Sequence, residues 1–349
     1  MSQYNQENIH INLVKGNPVS PRIIKLQFLS NKREYIINYA IKLLSFKIII
    51  IIVSILINIL FKYKYKKNEN FKVCLCTLGK IENNYAVEFV KHYKRYGIDK
   101  IFIYDNNDIN GEKFQDVLYN YIKHDFVEII DFRGKYRIQM YILNHCYKNN
   151  YKNYNWLILF DMDEFIFLNK INNVKMFLKN DIFNDCRAIF LNEVVHTDNN
   201  QLYYKKGKLV ERFKEIERNP PATMVKPIIK GNIENLSITN NHVINLNMEG
   251  CNAYGEKVRI KGIHTSNPDR KNYYFDHYYF KSSEEYLNKL SRGSCYWGNL
   301  RTINFAWLSN YFRHNEITLA KLNYFEKKTS VNLTIFRNQL KQKKFNLNN

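Results

Sequence analysis

Between residues 72 and 160, short apolar runs alternate with helical patterns, and nothing else in the chain restricts its fold as strongly. Residues 72–77 (KVCLCT) are an apolar run too short for a helix. Residues 82–96 follow, with Tyr85, Ala86, Phe89, Val90 and Tyr93 at helical spacing and Gly97 as a stop. The cycle then repeats: strand at 100–104 (KIFIY), helix over 112–123, strand at 126–130, helix at 136–149, strand at 156–160 (WLILF). Uninterrupted apolar runs suit strands covered on both faces. Strand–helix–strand repeats join such strands by right-handed crossovers. The expectation is an α/β fold, Rossmann-like, with a mostly parallel sheet and helices on both faces. Past residue 165 the pattern loosens. Strands are expected at 188–195, 208–213 and 223–229, and a helix at 282–290 opens on a Ser282-Ser283 cap with Glu284 and Glu285 in its first turn.

Ahead of this domain, residues 43–61 read LLSFKIIIIIVSILINILF, with Lys47 the only charge. About 20 apolar residues span a bilayer core, and Lys47 can snorkel to the interface. A single transmembrane helix is expected. It lies too far from the N-terminus, and lacks the small-residue cleavage site, for an ordinary signal peptide. Residues 1–42 read as a polar tail, 62–70 as a charged linker, 71–300 as the α/β domain and 301–349 as a helical extension. Basic residues flank the span on both sides, so charge does not fix its orientation. Two sequons, at Asn235 and Asn332, suit a lumenal domain, as in the Golgi or endoplasmic reticulum of a eukaryotic cell.

The net charge of +21 is spread along the chain. No Arg-rich block or nucleic-acid motif accompanies it, so it reads as a solvated basic surface and not as nucleic-acid binding. Six cysteines show no zinc spacing, which leaves buried thiols or one or two disulfides as their fates.

In parallel α/β sheets, ligands bind beyond the carboxyl ends of the strands. Three polar clusters fall there: residues 77–82, 105–108 and 161–164. The last, Asp161-Met162-Asp163-Glu164, follows the apolar strand WLILF. Two aspartates one residue apart at such an end suit Mn²⁺ or Mg²⁺, hard cations that take carboxylate, phosphate and water oxygens. A cation bridging a diphosphate makes it a better leaving group, as a nucleotide-sugar donor requires.

Several segments, in order, resemble glycosyltransferases of the GT-A fold that include family 92 (formerly domain of unknown function 23) and family-2-like relatives. They are VCLCTLGKIENNYAVEFVKHYKRYGIDKIFIYDNND; Gln139 and His145-Cys146 ahead of WLILFDMDEF; VVHTDNN and LVERF; VKPIIK followed by NNHVINL; and DHYYFKSSEEYLNKLSRG. The likeness covers roughly residues 71–293. It implies a metal-dependent hexosyltransferase that moves a sugar from a nucleotide-sugar, a UDP-sugar above all, to a glycan or glycoconjugate hydroxyl with inversion. Asp161 and Asp163 would hold the metal and the diphosphate, with His277 a third ligand. Thr77, Glu82 and Asp105 would lie on the nucleoside side, and Lys281 and Arg292 would neutralise phosphate. Inverting transfer needs a base for the acceptor hydroxyl. Asp198 is the first candidate and Glu193 the second, although Glu193-Val194-Val195-His196 replaces text that commonly contains glycine in the family.

Two other readings compete. A nucleotidyltransferase would carry a Gly-rich basic loop after the first strand, for which Leu78-Gly79-Lys80 is too meagre. A membrane-anchored basic protein that binds polyanions or lipid headgroups on a catalytically inactive GT-A fold is the alternative outside enzymes.

Overall fold

The computed structural model describes residues 21–66, 71–217, 223–245, 249–259, 264–265, 270–293 and 303–347. The chain divides into two units, Met1–Asn70 and Phe71–Asn349.

The described residues of the first unit form one helix, α1 (Pro21–Lys66). Helix therefore starts well inside the expected tail. Pro21 has the φ of a first helical residue, and no later glycine or proline interrupts the run to Lys66. Its segment Arg33–Ile57 is long and apolar enough to cross a membrane, and none of it is buried inside the protein.

The second unit is built on strands β1 (Val73–Gly79), β2 (Lys100–Asp105), β3 (Val127–Asp131), β4 (Trp156–Leu159), β5 (Glu164–Leu168), β6 (Ala188–Val195), β7 (Thr223–Lys230), β8 (Glu249–Cys251), β9 (Lys257–Arg259), β10 (His264–Thr265) and β11 (Tyr273–His277). Helices α2 (Asn83–Arg95), α3 (Phe114–Lys123) and α4 (Gln139–Asn150) are the crossovers of the parallel part. Short α5 (Val174–Leu178) and α6 (Leu209–Arg212) follow, then α7 (Ser283–Ser291) and the terminal α8 (Phe305–His314), α9 (Leu319–Thr329) and α10 (Thr334–Leu347).

The main sheet runs β3-β2-β1-β4-β7-β6-β11-β5. The first four strands are parallel. β7 is antiparallel to β4 and β6, β11 is parallel to β6, and β5 is antiparallel to β11. This is the expected α/β architecture, a Rossmann-like half extended by a mixed half. One apolar layer lies between the sheet and the face of α2 that carries Ala86, Phe89, Val90 and Tyr93. A second lies on the α4 side around Ile142, Leu143 and Tyr147. A third, aromatic cluster joins α7 to α8, α9 and α10.

Two local expectations change. Residues 208–213 hold the helix α6 and not a strand, because the Glu88 carboxylate on α2 accepts hydrogen bonds from the N–H groups of Leu209 (2.7 Å) and Val210 (3.3 Å) and so stabilises a helical first turn. β5 follows the acidic cluster after a tight turn in which Glu164 N–H donates to Asp161 C=O at 3.0 Å. The chain thus reverses where the sequence showed no punctuation. Helix α7 does open on a capping box between Ser282 and Glu285. Cysteines pair as Cys76–Cys146 and Cys186–Cys251, and Cys74 is a buried thiol.

Candidate active site

The strand directions bring the carboxyl ends of β1, β2, β4, β6 and β11 to one edge, together with the starts of β5 and β7. A cleft of about 450 Å³ opens there, within the range of small-molecule sites. Its floor explains the spacing of the acidic motif. A Cβ at Gly79 would stand 2.6 Å from the Met162 sulfur and 2.5 Å from the Phe114 ring, so only glycine lets β1 end against them. Met162 is buried and anchors the turn, while Asp161 and Asp163 on either side of it line the cleft.

Each acid meets a cation. Asp161 Oδ2 accepts from Lys226 Nζ at 2.6 Å, and the same ammonium lies 3.2 Å from Glu164 Oε1. Glu164 in turn accepts from the Asp161 N–H at 2.8 Å. Burial disfavours the Lys226 charge, but Asp161 and Glu164 outweigh it and hold the ammonium protonated. Burial also lifts the Glu164 carboxyl to about 7, against the pull of Lys226. Asp163 Oδ2 accepts from Lys289 Nζ at 2.7 Å, and its Oδ1 stands 3.6 Å from His277 Nε2. His277 Nδ1 is hydrogen-bonded to Glu193 behind it. Burial opposes ionisation of both Asp163 and His277. Lys289 and His277 overcome it at Asp163, holding the carboxyl well below the usual range. Asp163 and Glu193 overcome it at His277, whose pKa is pushed up to about 10.

A second ion cluster closes the β1 side. Glu82 is buried and bonds both Lys281 (2.7 Å) and Arg292 (2.9 Å), and Arg292 also binds the Lys80 carbonyl. Lys80, Lys289 and Arg292 line the cleft beside Glu82, Asp161, Asp163 and Glu164, so its wall carries paired charges of both signs.

Of the residues expected from sequence, Glu82, Asp161, Asp163, His277 and Arg292 line this one cleft. The rest do not. Asp105 is buried against Arg133 at 3.0 Å, and its neighbour Asn106 faces the cleft instead. Thr77 is buried in β1, its hydroxyl without a partner among the described residues. Lys281 does not line the cleft; it pairs with Glu82, and its charge adds to those that hold the Asp163 carboxyl down. Glu193 stands behind His277, where the hydrogen bond from His277 overcomes burial and keeps its pKa below the ordinary value. Asp198 is buried in a different network, with Lys321 at 2.6 Å and the Tyr311 hydroxyl on its carboxylate. The structure does not bring it to the cleft.

Sequence reasoning gave no site role to Lys226, Lys289 or His242, although all three lie in the segments that resemble the family. Lys226 had a signal, a lysine alone inside the apolar strand VKPIIK. Lys289 also had one, since it sits one turn before Arg292, the residue that caps α7.

Asp163 and His277 are the residues that could hold a divalent cation. A carboxylate and an imidazole facing each other at 3.6 Å would form a donor pair for Mn²⁺ or Mg²⁺ once the cation displaces the proton from His277 Nε2, with phosphate and water completing the shell. Asp161 does not complete a three-residue ligand set with them. Among the described residues no group of three His, Cys, Asp or Glu side chains gathers as a metal site, and Asp161 is turned to Lys226.

Solved structures of S. aureus TarS are similar at 11–12% identity: one covers 64% of this chain and 38% of its own (TM-score 0.32), and a 1–349 form in complex with UDP covers 72% and 68% (TM-score 0.33). A 1–349 form in complex with UDP-GlcNAc covers 74% of this chain and 82% of its own, with TM-score 0.32. This chain thus spans well under half the length of the longer TarS chain. No curated protein matches the sequence. The model of glycosyltransferase family 92 matches residues 69–293, which is more than half of the chain and includes every residue named on the cleft. This chain belongs to glycosyltransferase family 92.

Proposed function

We propose that this glycosyltransferase takes its sugar from a nucleotide-sugar, a UDP-sugar above all, and binds the donor diphosphate in the cleft at Asp163. The observation that carries the reading is the pairing of an ionised Asp163 with His277 at 3.6 Å beneath a rim of Lys80, Lys289 and Arg292. A divalent cation held by Asp163 and His277 would neutralise charge on the departing diphosphate. Lys289 in the last turn of α7 and Arg292 at its C-cap would meet its remaining oxygens. Glu82 fixes Arg292 in place, and Lys226 fixes Asp161 at the cleft floor. The nucleoside would lie toward the ends of β1 and β2, where the largely buried Asn106 lines the cleft. Asp105 would act there through Arg133, which ties down the carbonyls of Asp108, Ile109, Gly111 and Glu112 and so stiffens the loop. The acceptor is a glycan or glycoconjugate hydroxyl, and the transfer inverts the anomeric centre.

The full-length chain in detergent, given a panel of nucleotide-sugars, is expected to release nucleoside diphosphate with Mn²⁺ or Mg²⁺ and to stop on chelation. Turnover that ignores chelation would remove the metal from this reading. No turnover with any donor, alongside tight heparin or lipid binding, would favour a polyanion-binding protein instead.

We further infer that α1 anchors the chain in a membrane with the enzyme on the lumenal or outer side. Two disulfides in the catalytic unit suit an oxidising compartment. Asn235 and Asn332, in their sequons, are both exposed. Expression through a eukaryotic secretory pathway is therefore expected to add two glycans, each lost on Asn→Gln substitution. An unglycosylated chain would place the domain on the cytosolic side.

A further inference from the structure

We propose that His242 is the base that takes the proton from the acceptor hydroxyl, an assignment that rests on the nucleotide-sugar reading above. The acids of the cleft are committed elsewhere: Asp161 and Glu164 to Lys226, Asp163 to Lys289 and His277, Glu82 to Lys281 and Arg292. Asp198 and Glu193 do not reach the cleft wall. His242 does. Its Nδ1 lies 3.0 Å from the Val225 carbonyl, and a carbonyl only accepts, so Nδ1 carries the hydrogen and Nε2 the lone pair. Among the described residues nothing is bonded to Nε2. Burial and then the Lys226 ammonium lower the ring's pKa to about 4, which keeps that lone pair free at neutral pH.

The ring is also held in place. Asn240 Oδ1 accepts from the N–H of His242 (2.7 Å) and of Val243 (3.3 Å), and Val243 and Ile244 are buried in the core. Asn144 on α4 bonds both the N–H and the C=O of Ile238. Ile244 has a φ of +66°, a costly conformation for a β-branched residue that survives only where its surroundings over-determine it. Such strain collects at sites that need a fixed geometry. The position suits an acceptor-side group as well, because β7 lies across β4 from β1 and β2, where the nucleoside is placed.

In the step itself, the acceptor O–H proton moves to Nε2 as the oxygen forms its bond to the anomeric carbon. The bond from that carbon to the diphosphate breaks, and its electron pair leaves with the diphosphate. The imidazolium then returns its proton to water.

The test uses full-length wild type, His242→Ala, His242→Gln and Asp163→Asn in detergent, with UDP-hexoses as donors, p-nitrophenyl hexosides as acceptors and UDP as the binding probe. Loss of a positioned base is expected to lower kcat about 10²- to 10⁴-fold in both His242 variants. UDP affinity should stay within about threefold of wild type, and added imidazole should restore part of the His242→Ala activity. Transfer by His242→Ala within threefold of wild type, with Asp163→Asn inactive, would overturn the assignment and leave the donor reading standing. Loss of UDP binding in both His242 variants would also overturn it, by making the residue part of the donor site or the fold. An inactive wild type would overturn the donor reading itself.

Discussion

Asp163→Asn is expected to lower sugar transfer by about a hundred- to a thousandfold while the protein still folds. The substitution keeps the shape of the side chain and removes the charge that faces His277 at 3.6 Å and Lys289 at 2.7 Å. Removing one group that stabilises developing charge in an enclosed site costs that much in kcat. Asp161→Asn is expected to do less, because the Asp161 carboxylate already lies against Lys226 and contributes through it. Measured kcat for both variants, with thermal melts to confirm folding, checks the order. Equal losses, or a milder effect at Asp163, would move the weight of the site to Asp161.

Lys226→Met should produce the largest change in stability. Lys226 is 1% exposed and is shared by Asp161 and Glu164. Removing the ammonium strands the buried Glu164 carboxylate at the start of β5 and takes the partner from Asp161, and breaking the buried pair with Glu164 costs about 3–5 kcal/mol. Domains are stable by only about 5–15 kcal/mol, so the variant should show a much lower urea midpoint. The double variant Lys226→Met/Glu164→Gln should recover part of the loss, since an amide needs no counter-charge. A midpoint unchanged in the single variant would mean that these carboxylates are solvated and not buried.

The parallel half of the sheet was legible because its strands are covered on both faces and so appear as unbroken apolar text. β4 placed Asp161 and Asp163 by topology alone, and Tyr85, Ala86, Phe89, Val90 and Tyr93 gave away the buried face of α2. Elsewhere tertiary contact decided what local pattern could not. α6 is a helix because Glu88, more than a hundred residues earlier, receives its first N–H groups. Asp198 looked catalytic as an acid in a polar loop, but Lys321 and Tyr311 come from a part of the chain that resembled nothing and enclose it. Lys226 and Lys289 were hard to single out in a chain so rich in lysine. Their partners lie far off in sequence, and only the folded sheet edge brings those charges together. His242 stood in the family-resembling segment NNHVINL, but its role depends on which ring nitrogen the Val225 carbonyl occupies, which no spacing reveals.

The most direct measurement is a crystal structure of the full-length chain with UDP and Mn²⁺. The ion is expected on Asp163 and His277, with the diphosphate against Lys289 and Arg292 and the uridine toward Asn106. An ion bound elsewhere, or UDP seated outside this cleft while Lys289 stays on Asp163, would contradict it.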